Sequence, residues 1–226
     1  MATAPSRRPR FTLHDARRAD TRAFMNLIAM ADPGHPDPFG EARQLLALPH
    51  QPPLSHPGLN LCLLARDGRG APVGALLAGV PRWVLEHPGI AHDIVLTGTM
   101  VEKIGMIHGV AVRPGHRGRG IGRALIAHAE QRFTRAGYDL MTLNHDGDHD
   151  RYYTHLGYTV TDMLVINLPV GLVAQTTDDT RMCAKPLNPR VKVTDVPGAP
   201  APIITGVLPG TDIPKHAWFD GRTLHM

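Results

Sequence analysis

The sequence predicts an α/β (α+β) layer fold around a mixed sheet, and three observations carry that expectation. The hydrophobic period changes repeatedly between Ile104 and Leu187, giving the order strand, helix, strand, helix, strand, strand. Proline divides the chain: seven of the 21 prolines lie in 33–57 and seven in 186–214, leaving a proline-poor middle where regular structure can run. Hydrophobic residues make up 42% and charged residues 19% of the 226, enough apolar material to close a core and too much for a disordered chain.

Taken in order, residues 10–14 (RFTLH) alternate as a short strand does, and Asp20 stands where it would cap a helix carrying Phe24, Leu27 and Ile28. The stretch 33–57 reads as loop, interrupted by a short helix around Glu41–Leu48. Leu61–Ala65 reads as a strand, Asp67-Gly68-Arg69-Gly70 as a turn, and Val73–Val80 as the hairpin partner. Residues 85–103 fit neither period. Ile104–Val112 is an apolar, β-branched run stopped by Pro114 and Gly115. From Ile121 the period becomes helical, with Ile121, Leu125, Ala129 and Phe133 on one face and Gly137 where a C-cap belongs. Asp139–Asn144 reads as the next strand, Asp146 as the cap of a helix running through Tyr153 to Gly157, and Tyr158–Leu168 and Arg181–Leu187 as the last strands. The expected division is a domain over 1–187 and a proline-rich C-terminal extension over 188–226.

Several classes fall away on composition. No apolar run approaches the roughly 18–20 residues of a membrane span, so no membrane partner is expected. The start, MATAPSRRPR, is polar and basic without an apolar segment behind it, which argues against a secretory leader. Two cysteines, Cys62 and Cys183, exclude a disulfide scaffold, and the expected compartment is the reducing cytoplasm. The formal net charge is +4, but it is concentrated: residues 1–22 hold six Arg against two Asp, and residues 113–135 hold six Arg against one Glu. Local arginine points to anionic ligands rather than bulk nucleic acid, although a GC-rich genome produces the same bias. Aromatics at 5% argue against single-strand stacking, so nucleic acid is not an expected partner.

The segment Val110–Arg123, VAVRPGHRGRGIGR, carries the chemistry. Gly118, Gly120 and Gly122 leave backbone N–H groups unobstructed where a helix N-terminus offers unpaired donors and the positive end of its dipole. Arg117, Arg119 and Arg123 surround that cradle with charge, and a diphosphate fits it. It is not a P-loop, because Gly122 is followed by Arg123 and Ala124 rather than Lys and Ser or Thr. It is not a dinucleotide fingerprint either: the third glycine falls on Arg123 or Leu125.

Arg117-x-x-Gly120-x-Gly122, after a strand ending Val110-Ala111-Val112, resembles the acetyl-CoA-binding motif of the GNAT superfamily of N-acetyltransferases. Arg151-Tyr152-Tyr153-Thr154-His155-Leu156-Gly157-Tyr158 is similar to that family's Tyr-x-x-x-Gly-aromatic helix end. The resemblance is strong over 104–168, extends over 10–187, and leaves the tail uncovered. It implies a mostly antiparallel central sheet flanked by helices, in which Ile104–Val112 splays from Asp139–Asn144. It implies acetyl-CoA as cosubstrate, with the pantetheine arm pairing with Val110, Ala111 and Val112 and meeting Asn144. The pyrophosphate would sit on Arg117, Gly118, Arg119, Gly120, Ile121, Gly122 and Arg123.

By the same resemblance, Tyr153 matches the tyrosine that protonates the departing CoA sulfur, with Tyr152 its rival if the register slips. For the base, His108 shares a strand face with Met106, Val110 and Val112 and titrates in a useful range, and Glu102 is the alternative. Asn144–Asp150 (NHDGDHD) invites a metal reading, but an EF-hand counted from Asp146 would need glycine and glutamate where Arg151 and Gly157 stand. Helix capping is the expected role, and no metal is expected. The implied acceptor is an amine, on a small molecule or a protein; a second copy of the chain is left open as a partner. Acceptor choice would rest on 33–57, 85–103 and the tail.

Overall fold

A computed structural model describes residues 11–37, 39–48, 60–177 and 179–226. Its strands are β1 (Phe11–Asp15), β2 (Leu61–Asp67), β3 (Pro72–Gly79), β4 (Ile104–Val112), β5 (Leu140–His145), β6 (Thr159–Thr161), β7 (Met163–Leu168), β8 (Gly171–Thr176), β9 (Arg181–Pro186), β10 (Lys192–Thr194), β11 (Ile203–Thr205), β12 (Trp218–Phe219) and β13 (Leu224–His225). The α-helices are α1 (Thr21–Ile28), α2 (Glu41–Ala47), α3 (Arg82–Glu86), α4 (Ile94–Lys103), α5 (Ile121–Arg135) and α6 (Asp150–His155). Hydrogen bonding orders the main sheet β1-β2-β3-β4-β5-β9-β6, and a second sheet runs β10-β11-β7-β8. The α/β (α+β) mixed-sheet expectation holds: β4 and β5 are parallel, and β1–β2, β5–β9 and β6–β9 are antiparallel. No helix among the described residues is long and apolar enough to cross a membrane.

The chain divides into two units. The first comprises the described residues of Met1–Pro52, Leu61–Leu77 and Gly109–His128. Its core is the apolar face of α1 (Phe24, Leu27, Ile28) and of α2 (Leu45, Leu46) against Leu64 of β2. Asp20 stands at the N-cap position of α1 but makes no side-chain cap bond. Its carboxylate instead accepts from the Arg17 N–H (3.0 Å) and the Arg66 guanidinium (2.5 Å), because a 3₁₀ turn over Arg18–Asp20 already holds Asp20 in helical conformation.

The second unit comprises the described residues of Pro53–Asn60, Ala78–His108 and Ala129–Met226. Residues 85–103, which showed no clear period, supply part of α3 and all of α4. Asp93 starts α4 by accepting from the Val95 and Leu96 N–H groups (3.0 and 2.9 Å). The β4–β5 ladder runs from Ile104–Leu140 to Ile107–Leu143 and does not extend to His108 and Asn144. Tyr158–Leu168 is not one strand: β6 joins the main sheet and β7 the second, with the break at Asp162, where the Thr161 hydroxyl donates to the Met163 carbonyl (2.9 Å). Asp146 makes no side-chain cap bond, since a separate 3₁₀ turn, Gly147–His149, precedes α6. The tail contributes β11, parallel to β7, and sends Val191, Ile204, Val207 and Leu208 into a core with Met100 and Ile104. Asp139, buried at the start of β5, binds Arg190 and Asn188 of that tail.

Helix α5 buries Ile121, Leu125, Ala129 and Phe133, the face expected from its period. In the second unit Gly105 of β4 must lack a side chain, because a Cβ there would lie 2.6 Å from the Phe133 ring.

Both cysteines are free and buried. Burial, reinforced by the carboxylates of Glu41 and Asp15 for Cys62 and of Asp150 for Cys183, pushes each thiol up to about 12. Unfolded thiols ionise near pH 8.5, so between that pH and 12 the folded state holds more protons than the unfolded one. Stability is therefore fully present below pH ~8.5 and falls as pH rises, by at most roughly 1.4 kcal/mol per thiol per pH unit. Urea melts from pH 8 to 10.5 should show this decline, and a thiol reagent should find both cysteines only after unfolding. A flat profile with fast-reacting native thiols would contradict the burial.

Candidate active site

In the first unit the chain leaves β4 at Val112, passes a 3₁₀ turn at Pro114–His116 and enters α5 at Ile121. Gly118 and Gly120 adopt φ of 72° and 79°, the left-handed region that disfavours a Cβ. Neither is crowded: a Cβ at either would meet nothing within 4 Å. Backbone conformation therefore demands these glycines, and the face they leave is open. The first α-helical bond runs from the Ala124 N–H to the Gly120 carbonyl (3.0 Å), so the N–H groups of Ile121, Gly122 and Arg123 have no intrahelical acceptor. They form the positive end of the 15-residue α5.

The arginines divide their work. Arg117 donates from Nε to the Val112 carbonyl (3.0 Å), and Arg119 from Nη2 to the Gly115 carbonyl (3.0 Å), so both brace the turn. Arg123 is exposed on the first turn of α5. Gly74 of β3 backs the turn: its missing Cβ would lie 2.9 Å from Ile121 Cγ2 and 3.2 Å from the Ala111 carbonyl oxygen. On β4, Ala111 is buried and Val110 and Val112 are half-buried. Gly109, just before them, lies against Phe39, whose Cζ would be 2.7 Å from a Cβ there. Phe39 also lines a cavity of about 290 Å³ with Met25, Ile28, Ala29, Asp37 and Arg43. Asp37 and Arg43 form an ion pair of 2.9 Å beside it.

In the second unit Tyr153, on α6, is buried in an aromatic cluster that also holds His145, His149, Tyr152 and Tyr158. His145, the last residue of β5, stacks on the Tyr153 ring (centroids 4.9 Å apart, planes at 29°). Tyr152 and Tyr158 meet it edge-on at 5.2 and 5.9 Å. The Tyr158 hydroxyl donates to Glu130 (2.8 Å), which also accepts from Lys185 (2.7 Å). Burial, then the neighbouring Tyr152, Cys183 and Asp146, push the Tyr153 phenol well above its ordinary value and keep it protonated. Tyr152, its rival from the sequence, is exposed.

His108 is half-buried on β4. A Cβ on Gly79 would lie 2.3 Å from Asn60 Oδ1 and 3.6 Å from His108 Nε2, so glycine at 79 lets the Asn60 amide and the imidazole converge. Glu102 is exposed on α4, on a different element from His108. Asn144 is half-buried, with its Oδ1 enclosed and lacking a hydrogen-bond partner among the described residues. Among the described residues no group of three or more His, Cys, Asp or Glu side chains could hold a metal ion. Sequence reasoning passed over Phe39, Asn60 and His145. Only His145 gave a signal, as part of the NHDGDHD run.

A model of the acetyltransferase (GNAT) family matches residues 23–158. Among curated proteins none matches the chain. Similar solved structures include a GNAT superfamily phosphinothricin acetyltransferase from Sinorhizobium meliloti in complex with acetyl-CoA, 21% identical, TM-score 0.54, covering 79% of this chain and 89% of that one. A GNAT family N-acetyltransferase from Escherichia coli in complex with CoA is 16% identical, TM-score 0.51, over 83% of this chain and 86% of that one. The ribosomal-protein-S18-alanine N-acetyltransferase of Escherichia coli is 14% identical, TM-score 0.50, over 79% and 94%. At these identities the likeness is one of fold.

Proposed function

The chain belongs to the acetyltransferase (GNAT) family, and on that premise we propose that it moves an acetyl group from acetyl-CoA to a primary amine of a small molecule, by direct attack in a ternary complex. The observation that carries this reading is the open turn at 117–123, where glycine conformation and free N–H groups at the start of α5 suit a diphosphate. Backbone groups of Val110, Ala111 and Val112 would pair with the pantetheine arm, as would the amide of Asn144. The ladder between β4 and β5 ends at Ile107–Leu143, leaving His108 and Asn144 outside it, which suits that role.

The reaction needs positioning first. An amine held against a thioester reacts mostly through proximity, and a strand N–H near Val110 would stabilise the oxyanion. The neutral amine attacks the carbonyl carbon and the C–S bond breaks. Tyr153 gives its proton to the sulfur, and His108 takes the proton that the new ammonium must lose. The raised phenol suits a group that must stay protonated until the thiolate forms. The cavity beside Phe39 supports a small acceptor over a polypeptide, since its volume is only about 290 Å³. We assign catalysis to 1–187, which contains the family match, and treat 188–226 as an extension. Two buried free thiols suit a reducing, cytoplasmic setting. Mass spectrometry of a panel of small amines and N-terminal peptides incubated with acetyl-CoA tests the acceptor class; acetylation of peptides alone would overturn the small-molecule reading.

Four substitutions test the machinery. Gly120→Val places a β-branched residue at φ 79° in the turn and should weaken acetyl-CoA binding severely by calorimetry in a folded variant. An unchanged Kd would remove the cradle.

Arg117→Ala and Arg119→Ala should each cost less than the glycine change, and more at low salt than at high salt, because exposed charge is screened. Loss of binding at every ionic strength would mean the bracing bonds, not the charge, are what matters.

Tyr153→Phe should keep acetyl-CoA affinity near normal while kcat falls on the order of 10²–10⁴-fold. Because the phenol is shifted upward, the parent should show no pH limb from Tyr153 below pH ~10. Equal turnover with a lowered Tm would mark the tyrosine as structural.

A further inference from the structure

The Tyr153 ring is held unequally. Its two tyrosine neighbours cross it at 72° and 78°, and among the described residues only His145 stacks on it. His145 is itself fixed at one ring nitrogen. Nδ1 bonds the Asp146 carbonyl, which can only accept, so Nδ1 carries the hydrogen. Nε2 lies 3.4 Å from Asp150 Oδ1. Behind Asp150 stands Arg181, with Nε 3.7 Å from Asp150 Oδ2 and Nη1 2.5 Å from Asp162. Arg181 comes from β9, directly opposite His145 in the β5–β9 register. A chain of charged and polar contacts thus runs from Asp162 through Arg181 and Asp150 to the imidazole.

This chain is not an economical way to pack a tyrosine. His145 Nε2, Asp150 Oδ1 and Arg181 Nε are all enclosed without a hydrogen-bond partner among the described residues. Enclosed polar groups with incomplete hydrogen bonding are destabilising, and an apolar side chain at 145 would fill the same space without that penalty. What the bond at Nδ1 supplies is orientation: held on the Asp146 carbonyl, it fixes the plane of the imidazole, and the stack transfers that plane to the phenol. The phenol oxygen lies roughly 6.5 Å from its own Cα, so a swing of about 10° moves it about 1 Å, a displacement that can cost about 100-fold in rate.

We propose that His145, pinned by the Asp146 carbonyl, is a positioning residue that aims the Tyr153 hydroxyl. This rests on the reading of Tyr153 as the acid. His145 touches neither the thioester nor the amine in this role; it acts through the ring.

The test is a double-mutant cycle on the full chain, with acetyl-CoA as donor, hydroxylamine as the nucleophile, and CoA thiol release as the readout. His145→Gln should lower kcat roughly tenfold or more while the KM for acetyl-CoA stays within about twofold, and His145→Phe, which keeps a flat ring without the pinned nitrogen, should recover little of that loss; full recovery in His145→Phe would overturn the pinning. In a Tyr153→Phe background His145→Gln should have no further effect. Equal losses in both backgrounds, or full turnover in His145→Gln beside an impaired Tyr153→Phe, overturn the positioning role and leave the acid intact. Full turnover in Tyr153→Phe overturns the acid and this role with it. Should His145→Gln not fold, His145→Phe, which fills the same space, should give the loss with the same dependence on Tyr153. Independently of any acceptor, ring-labelled tyrosine NMR should show slow flipping of Tyr153 in the parent and faster flipping in both variants; an unchanged line shape contradicts the stack as a clamp.

Discussion

The passage from β4 into α5 is the constraint on which the rest depends. Residues 118 and 120 must both adopt positive φ to deliver the chain into α5 at Ile121, and only glycine does so without strain. That turn fixes where α5 begins and leaves three N–H groups of its first turn without intrahelical acceptors. It also sets the phase of the helix. Ile121 and Leu125 face Gly74, and two turns further on Phe133 covers Gly105. Had the helix begun one residue later, its apolar face would have rotated by about 100° and these contacts would be lost.

Charge in this turn does two things that composition alone does not separate. Six arginines in 113–135 suggest an anion site, yet Arg117 and Arg119 spend one donor group each on backbone carbonyls of their own loop. A guanidinium has five N–H donors in a fixed fork, so bracing leaves others for a ligand. The loop therefore carries its charge on side chains already partly ordered, which reduces what must be ordered when an anion arrives.

What the sequence made legible follows from where the information is local. The glycine turn, α5 with its C-terminal Gly137, and β4 were readable because each is decided by neighbours within a few residues. The helix α4 was not: IVLTGTMVEK mixes β-branched residues with Gly98, and what starts it is the single side chain of Asp93. The expected caps at Asp20 and Asp146 failed because a 3₁₀ turn precedes each helix. The strands β6 and β7 were fused in the reading because both carry β-branched residues; their separation is a choice between two sheets, made by partners in β9 and in the distant β11. In the candidate site, Tyr153 was legible from Tyr-x-x-x-Gly spacing, whereas His145 was not. Its stack on Tyr153 depends on how β5 and α6 meet, and nothing in NHDGDHD distinguishes one histidine from the other.

The upward shift of Tyr153 bears on how it could serve as an acid. A phenol with a raised pKa is a poor donor to a thiolate in water, where an ordinary thiol ionises near pH 8.5. The shift, however, comes first from burial, and burial penalises any anion in the same surroundings. A thiolate leaving into that environment is destabilised as the phenolate would be, so the two proton affinities approach each other there even though both lie far from their values in water. Tuning to bulk pH is then less important than direction: the hydroxyl must point at the sulfur as the C–S bond lengthens, because a hydrogen bond to developing charge gains most in low dielectric and loses most when misaligned. A ring stacked on a pinned imidazole and crossed by two tyrosines would meet that requirement by orientation rather than by acidity.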